Sequence, residues 1–176
     1  MKATGRSRTL TPCEQRASSR RGGEVKYLYF SHCDGDKAVP KPLQKSVADA
    51  IAAVKTKLAQ GASAKIRDEI MNKLTAEGWS VEVRVAPDSE MTITSIRDHI
   101  GLCLQTGNMA RAPYDLLKLQ ALYYDGHIKA AAMIVPSRDA AKKLGKGLVD
   151  ASRLEREMTI FKKAYNVPTV VFSLES

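Results

Sequence analysis

Cysteine is scarce in this chain. Its three cysteines, Cys13, Cys33 and Cys103, lie far apart in the sequence. An odd, widely spaced set does not complete a disulfide framework, and it lacks the paired spacing of a structural zinc site. The composition therefore predicts a protein of a reducing compartment, the cytoplasm, rather than a disulfide-rich or zinc-stabilised domain.

Long apolar runs are also missing. The longest, Ala130 to Val135, has the length of a strand, whereas a membrane-spanning helix needs roughly 18 apolar residues. The N-terminus is polar and basic with no apolar segment behind it, so no secretory signal is expected. The chain has 176 residues, of which 44% are hydrophobic and 27% charged, which is typical of a single soluble globular domain.

Acidic residues are also few relative to basic ones. The chain has 19 acidic and 28 basic residues, which gives a net charge of +9. Residues 1–24 hold six basic and two acidic residues, so +4 of this charge lies there and +5 is spread over the rest. A basic surplus favours polyanionic partners such as nucleic acid, although moderate positive charge also serves solubility alone. Charge by itself leaves both interpretations open.

The composition divides the chain into two regions. Residues 1–24 are rich in Arg, Ser, Gly and Thr without apolar periodicity, which predicts a disordered N-terminal extension. This extension could be a basic arm that lies on DNA, or a passive segment upstream of a true start near Val25. Residues 25–176 carry the periodic apolar patterns and form the predicted domain.

Periodicity predicts strands and helices in a mixed order over residues 25–176. In chain order, these are a strand over 25–31 closed by a turn at 32–36, a helix from Leu43 that ends near Gly61, a helix capped by Ser63 that stops at Gly78, strands over 79–85, 92–96 and 100–106, a helix from Pro113 to Gly126, a strand over 128–135, a short helix over 138–144 capped by Pro136-Ser137, a helix capped by Ser152, and a strand over 167–174. The strands at 92–96 and 100–106 could form a hairpin. The expected architecture is a mixed sheet sandwiched between helices.

The strand over residues 100–106 is the most informative one. Ile100, Leu102 and Leu104 share one face, because strand side chains alternate, and Cys103 and Gln105 share the other. In a Mg²⁺-dependent phosphodiesterase, those two positions would carry an acid and a further catalytic group. Here a thiol stands in place of the acid.

Four segments carry a family resemblance. They are Tyr29-Phe30-Ser31-His32 with Gly35, Lys73-Leu74-Thr75-Ala76-Glu77-Gly78-Trp79, Gln105-x-Gly107 followed by Tyr114-Asp115-Leu116, and Val167-Pro168-Thr169-Val170-Val171. In order and spacing they resemble the BglII/BstYI-type family of type II restriction endonucleases, in the PD-(D/E)XK nuclease superfamily. The resemblance implies an α/β fold, a restriction-endonuclease-like three-layer sandwich with a mixed β-sheet flanked by helices. It also implies double-stranded DNA as a partner, and a homodimer, since many such enzymes recognise palindromic DNA as dimers.

The sequence departs from that family at the residues that would bind the catalytic metal. The family's catalytic strand carries Glu-x-Gln, with a metal-binding Asp nine residues before the Glu. Aligned without gaps, Gln105 matches the Gln, Cys103 takes the place of the Glu and Thr94 that of the Asp. Asn108 stands where some members have Lys. The resemblance thus makes Gln105, Cys103 and Thr94 the catalytic positions, with both expected carboxylates replaced.

Loss of both carboxylates predicts a catalytically impaired protein. Mg²⁺ prefers carboxylate and water oxygens, whereas a thiol is soft and a hydroxyl is neutral. The ion lowers the pKa of the attacking water and stabilises charge at phosphorus, and losing about 5 kcal/mol of this effect would slow cleavage by roughly three to four orders of magnitude. The leading hypothesis is a restriction-endonuclease-like DNA-binding protein, with Mg²⁺ as a cofactor only if activity survives.

Two other functions remain open. A relocated metal site, built from Asp98 with Glu82, Asp88 or Glu90, would make the chain an active Mg²⁺-dependent type II deoxyribonuclease. These acids could equally be solvated residues of turns and edges. The third hypothesis is a protein-interaction domain that kept only the fold, since fold does not determine function.

Three residues are expected to contact DNA. Asn108 and Arg111 follow the active-site strand, and His32 follows the first strand of the domain. For His32, the alternative is a turn residue whose ring is satisfied within the protein.

Overall fold

The computed structural model describes residues 16–18 and 27–175, and within those ranges the chain forms eight strands and six helices. The strands are β1 (Arg16–Ser18), β2 (Tyr27–His32), β3 (Val83–Arg84), β4 (Thr92–Ile93), β5 (Ser95–Arg97), β6 (Ile100–Leu104), β7 (Ala130–Pro136) and β8 (Thr169–Leu174). The helices are α1 (Gly35–Ala38), α2 (Lys41–Ala52), α3 (Ser63–Ala76), α4 (Arg111–Tyr124), α5 (Arg138–Leu144) and α6 (Ala151–Ile160). Apart from β1, the predicted extension over residues 1–24 lies outside the described residues. Within the described part, no helix is long and apolar enough to cross a membrane.

The main sheet has the strand order β1-β2-β8-β7-β6-β5. Strands β6, β7 and β8 run parallel, and β2 and β5 flank them in antiparallel orientation. The register pairs Leu104 of β6 with Ile134 of β7, and Ile134 with Phe172 of β8. The carboxyl ends of three parallel strands therefore meet at one edge of the sheet. Strands β3 and β4 form a separate two-stranded sheet.

Helices cover both faces of the main sheet. On one face, Ile70 of α3 belongs to the same buried cluster as Leu102 of β6. On the other face, Leu119 of α4 belongs to a cluster that contains Cys103. Strand β7 is buried along its whole length, as its continuous apolar run predicts. The molecule is a three-layer α/β sandwich, which confirms the predicted mixed sheet between helices and the alternating faces of β6.

A tight turn joins β5 to β6. Asp98 and His99 adopt left-handed backbone angles, with φ of 48° and 61°, and Arg97 pairs with Ile100 across the turn. Two consecutive left-handed residues are typical of a type I′ turn, whose twist matches that of a hairpin. The predicted hairpin is confirmed, and Asp98 lies at its tip.

Helix α2 is shorter than the apolar spacing predicts. It ends at Ala52, although Val54 is buried and Leu58 packs against the core. Beyond the helix, a carboxylate oxygen of Glu69 accepts the backbone N–H of Lys55 at 2.7 Å, which stabilises the turn that follows. The apolar spacing continues past the helix because the loop packs against the same buried cluster.

Two predicted helix caps are wrong by one or two residues. Ser63 is the first residue of α3, which follows Ala62 without a side-chain cap. Helix α6 is capped by Asp150 instead of Ser152, since Asp150 Oδ1 accepts the Arg153 N–H at 3.0 Å. A carboxylate at this position also interacts favourably with the helix dipole.

The strand predicted over residues 79–85 is reduced to β3. Trp79 turns inward, where its Nε1 donates to Ser46 Oγ at 2.7 Å. The backbone N–H of the next residue, Ser80, donates to Ile96 O at 3.1 Å, and the Ser80 Oγ accepts the Ile96 N–H at 2.8 Å. Side-chain hydrogen bonds of Ser80 therefore take the place of a regular strand ladder there.

Two loops at the carboxyl end of the parallel strands are joined by backbone hydrogen bonds. Met109 N–H donates to Gly147 O at 3.0 Å, and Val149 N–H donates to Gly107 O at 3.1 Å. The first loop connects β6 to α4 and the second connects α5 to α6. We call them the rim loops, because the first of them borders the cavity described next.

Candidate functional site

A cavity of about 530 Å³ opens at the carboxyl end of β6. Its lining comes from β6, α3, α4, the β3–β4 region and the first rim loop. It consists of Arg67, Glu82, Thr92, Ile93, Thr94, Cys103, Leu104, Gln105, Thr106, Gly107, Arg111, Tyr114, Asp115 and Lys118. Thr94, Cys103 and Gln105 thus meet at one place. Arg111, which the sequence assigned to DNA contact, lines the same cavity.

A chain of hydrogen-bonded side chains forms one wall of the cavity. Gln105 donates from Nε2 to Asp115 Oδ2 at 2.8 Å and accepts the Gly107 N–H on Oε1 at 2.9 Å. The second oxygen, Asp115 Oδ1, accepts from Lys118 Nζ at 3.0 Å. Lys118 and Asp115 side chains are only 15% and 12% exposed. The Lys118 nitrogen also lies 4.8 Å from the centre of the Tyr114 ring, a cation–π contact. Both oxygens of the buried carboxylate are therefore engaged.

Thr94 and Cys103 contribute neutral groups. Thr94 Oγ1 accepts the Leu104 N–H at 2.9 Å, so the hydroxyl extends the pairing between β5 and β6. Cys103 is buried, and burial, followed by the nearby Asp115 charge, raises the pKa of its thiol well above the usual range. The thiol stays protonated at neutral pH, whereas the thiolate is the form that attacks electrophiles and binds metals.

This donor set does not fit Mg²⁺, which prefers several carboxylate and water oxygens in octahedral geometry. Two carboxylates line the cavity. Asp115 is held by its hydrogen bonds within the wall, and exposed Glu82 accepts from Thr92 Oγ1 at 2.5 Å. In the part of the chain that the structure describes, no three His, Cys, Asp or Glu side chains lie close enough together to hold a metal ion.

Positive charge reaches the cavity from both helical layers. Arg67 of α3 is half-buried and donates from Nη1 to Leu104 O at 2.6 Å. Arg111, at the start of α4, is exposed and forms no ion pair with a residue of the described ranges. With Lys118, three cationic side chains face two carboxylates, so the lining carries a net positive charge.

The structure separates the residues predicted to contact DNA. Asn108 is exposed in the first rim loop, where its Oδ1 accepts the Ala110 N–H at 2.9 Å. His32 is buried, donates from Nε2 to Tyr165 O at 3.0 Å and stacks on the Tyr165 ring. It pairs with Thr169 at the amino end of β8, the edge of the sheet opposite the cavity. The prediction of a DNA contact at His32 therefore does not fit the structure, because its ring is satisfied inside the fold.

Asp98 is not part of the cavity. Its side chain is 71% exposed at the hairpin tip, where the carboxylate lies 3.5 Å from Arg97 Nε. The strand from Ile100 to Cys103, roughly 10 Å long, separates the turn from the thiol of β6. Asp88 and Glu90 are exposed and do not line the cavity either, so Glu82 alone of the four acids named for a relocated site is found there.

Comparisons with known proteins identify the family. A sequence model described as restriction endonuclease BglII/BglIII matches residues 27–174, most of the chain. The chain belongs to this family.

Solved structures agree on the fold of this BglII/BglIII family member. The crystal structure of restriction endonuclease BglII complexed with a DNA 16-mer matches with a TM-score of 0.74 at 10% identity, covering 86% of this chain and 77% of that one. The crystal structure of free BglII matches with a TM-score of 0.63 at 11% identity, covering 86% and 80%. At such identities the likeness establishes the fold, and it confirms the predicted restriction-endonuclease-like sandwich. No curated protein matches the chain.

Sequence reasoning does not identify Arg67 and Lys118 as residues of the cavity in this family member. Lys118 follows Asp115 by three residues, a spacing that puts both on one helical face and was the available signal. Arg67 lies 37 residues from its partner Leu104, so no local pattern marks it.

Proposed function

We propose that this BglII/BglIII family member binds duplex DNA through the carboxyl end of its parallel strands and has lost efficient metal-dependent cleavage. The observation that carries the proposal is the wall of the cavity. Both oxygens of its buried carboxylate, Asp115, accept hydrogen bonds, from Lys118 and Gln105. Thr94 and Cys103 supply only a hydroxyl and a protonated thiol. Binding groups for a polyanion are therefore present, whereas a divalent ion has no adequate set of ligands.

The face around the cavity supports DNA as the partner. Arg111 and Asn108 are exposed beside the opening, and the second rim loop carries exposed Lys146 next to them in the fold. BglII, whose fold this chain shares, has been crystallised with DNA. Action on DNA would agree with the cytoplasmic location that the cysteine content predicts.

Salt-dependent binding tests this proposal. A labelled duplex of mixed sequence, followed by fluorescence anisotropy in EDTA, should bind at about 50 mM salt and lose most of its affinity by about 200 mM. Arg111→Gln should weaken binding. Lys129 is exposed and directly precedes β7, at the opposite edge of the sheet from the cavity. Lys129→Gln removes the same charge there and should have little effect. Absence of binding at low salt, both in EDTA and in Mg²⁺, would refute the proposal and favour the protein-interaction hypothesis.

A second candidate function is metal-dependent cleavage by relocated acids, because Glu82 and Asp115 both line the cavity. Supercoiled plasmid incubated with Mg²⁺ or Mn²⁺ distinguishes the two. Discrete fragments that disappear in Glu82→Gln or Asp115→Asn would establish an active type II deoxyribonuclease. Asp98→Ala serves as the control, since its side chain lies at the hairpin tip. Plasmid that stays intact supports the binding function.

A homodimer is the proposed assembly. Helix α4 exposes two large apolar residues outside the cavity, Leu117 and Tyr124, which are 62% and 68% exposed. Their spacing places them along one side of the helix, and large exposed side chains in such a row are typical of an interface. Sedimentation equilibrium should show a dimer that Leu117→Asp converts to monomer. A wild-type protein that sediments as a monomer at all concentrations would contradict it.

A further inference from the structure

We propose that Lys118 substitutes for the divalent ion of the family, so that the cavity binds a phosphate group of DNA without metal. The inference rests on the proposed function and specifies how that site works. The cavity lacks a ligand set for Mg²⁺, and a protein cation, Lys118, stands there beside the buried carboxylate of Asp115.

Neighbouring side chains fix the position of Lys118. Asp115 accepts from Lys118 Nζ on one oxygen and from Gln105 Nε2 on the other, and Gln105 is itself fixed by the Gly107 N–H. The Tyr114 ring covers one side of the ammonium group. A surface lysine samples many conformations, whereas this one is held in place by a carboxylate and a ring.

Lys118 retains capacity for a ligand. An ammonium group has three N–H donors and no acceptor, and one donor is used by Asp115. Because the side chain lines the open cavity, a remaining donor can meet a phosphate oxygen. An ammonium donor to a phosphate is a charge-assisted hydrogen bond, one of the stronger kinds in proteins.

Two guanidinium groups complete the site. Arg67 donates to Leu104 O at 2.6 Å, which ties its position to the end of β6. Arg111 has no ion-pair partner among the described residues and lines the same cavity. Guanidinium groups match the geometry of phosphate oxygens. Three cations at the end of one strand supply the charge that a metal ion would otherwise bring to a phosphate.

The test measures binding of a labelled mixed-sequence duplex in EDTA and in Mg²⁺ over a range of salt. Wild-type affinity in EDTA should be at least as high as in Mg²⁺, because Mg²⁺ competes with protein cations for the DNA phosphates. Lys118→Gln should weaken binding roughly ten-fold, because it removes a charged hydrogen bond. It should also reduce the slope of log affinity against log salt by about 1. Lys129→Gln, the matched control at the far edge of the sheet, should show neither change.

A second variant separates binding from folding, because Lys118→Gln alone leaves a buried carboxylate without its cation. In the double variant Asp115→Asn with Lys118→Gln, two neutral side chains can hydrogen-bond to each other. Circular dichroism should show a native fold, and DNA affinity should remain as weak as in Lys118→Gln. Recovery of wild-type affinity in the double variant would overturn the inference.

The outcomes also distinguish this inference from the function on which it rests. If wild-type protein does not bind duplex DNA at low salt, both fail. If it binds, but EDTA abolishes binding or Lys118→Gln behaves like Lys129→Gln, this inference alone is overturned. EDTA-insensitive binding that depends on Lys118 supports both.

Discussion

The two ends of the parallel strands differ in what they do with their polar residues. At the amino end, Asp98 sits in a solvent-exposed turn and His32 bonds to a backbone carbonyl. At the carboxyl end, Gln105, Asp115 and Lys118 converge on an open cavity. In sheets with parallel strands, ligands commonly bind beyond the carboxyl ends. In this fold, the polar residues at the carboxyl end line the cavity, whereas Asp98 and His32 at the amino end lie away from it.

The largest effect is expected from building a metal site at the carboxyl end. Thr94→Asp with Cys103→Glu introduces the two carboxylates that the family resemblance expects, and Lys118→Gln removes the competing ammonium group. Mn²⁺ at a hundred times its Kd should stabilise this triple variant by about 2.7 kcal/mol, measured by thermal unfolding. Mg²⁺-dependent plasmid cleavage should rise by about three orders of magnitude over wild type.

Lys118→Gln alone is the control for the triple variant, and it should show no metal-dependent shift. A folded triple variant that also ignores Mn²⁺ would mean that the carboxyl end is not a former metal site.

The next largest effect is expected on the stability of the fold, from an alanine substitution at one glycine at each end of the parallel strands. A Cβ on Gly35 would lie 2.2 Å from the backbone carbonyl carbon of Thr169, which neither backbone can relieve. Gly35→Ala should therefore cost at least about 3 kcal/mol of unfolding free energy in urea titration. A Cβ on Gly107 would lie 3.0 Å from Gln105 Oε1, the end of a side chain that can move.

Gly107→Ala should cost about 1 kcal/mol or less and should instead weaken DNA binding by displacing Gln105. Equal losses of stability in the two alanine variants would remove the contrast between a closely packed amino end and a carboxyl end that opens into a cavity.

A smaller effect is expected on the pH dependence of stability, through His32 at the amino end of the parallel strands. Burial lowers the pKa of His32 from 6.5, the Tyr165 carbonyl partly offsets this, and the charge of Lys162 lowers it further. The folded state thus binds fewer protons than the unfolded state between the lowered pKa and 6.5. The stability contributed by neutral His32 is complete above pH 6.5 and is lost as pH falls below it.

Urea unfolding on either side of that pH measures the loss. His32→Gln should reduce the pH dependence, whereas His127→Gln, at an exposed position, should leave it as in wild type. If His32→Gln shows the full wild-type pH dependence, the buried imidazole is not its source.

The smallest effect is expected at the hairpin tip. Asp98 and His99 both have left-handed backbone angles, which Asn and Gly adopt more easily. Asp98→Asn with His99→Gly should stabilise the fold by up to about 1 kcal/mol, measured by thermal unfolding. DNA affinity should not change, and a clear loss would show that the amino end takes part in binding.

Much of the fold could be predicted because its signals are local. The apolar run of β7 and the N-cap at Ser137, whose Oγ accepts the Ala140 N–H, each depend on a few adjacent residues. The end of α2 could not be predicted, because Glu69 stabilises the turn after it from another helix.

The site could be predicted only in part, for the same reason. Gln105, Cys103 and Thr94 come together because a hairpin fixes their register. The approach of Arg67 depends on how α3 packs against the sheet, which no local pattern encodes. Asp98 is close to Cys103 in sequence, yet an extended strand carries it to the far edge.

The backbone hydrogen bonds between the rim loops make these two segments one cooperative unit. The amide of Met109 is protected by Gly147, and that of Val149 by Gly107, so neither loop can open without exposing an amide of the other. Hydrogen exchange at Met109 and Val149 should therefore slow together when a ligand orders either loop. Extra residues inserted into the loop between α5 and α6 would loosen the entrance to the cavity without altering any residue that lines it.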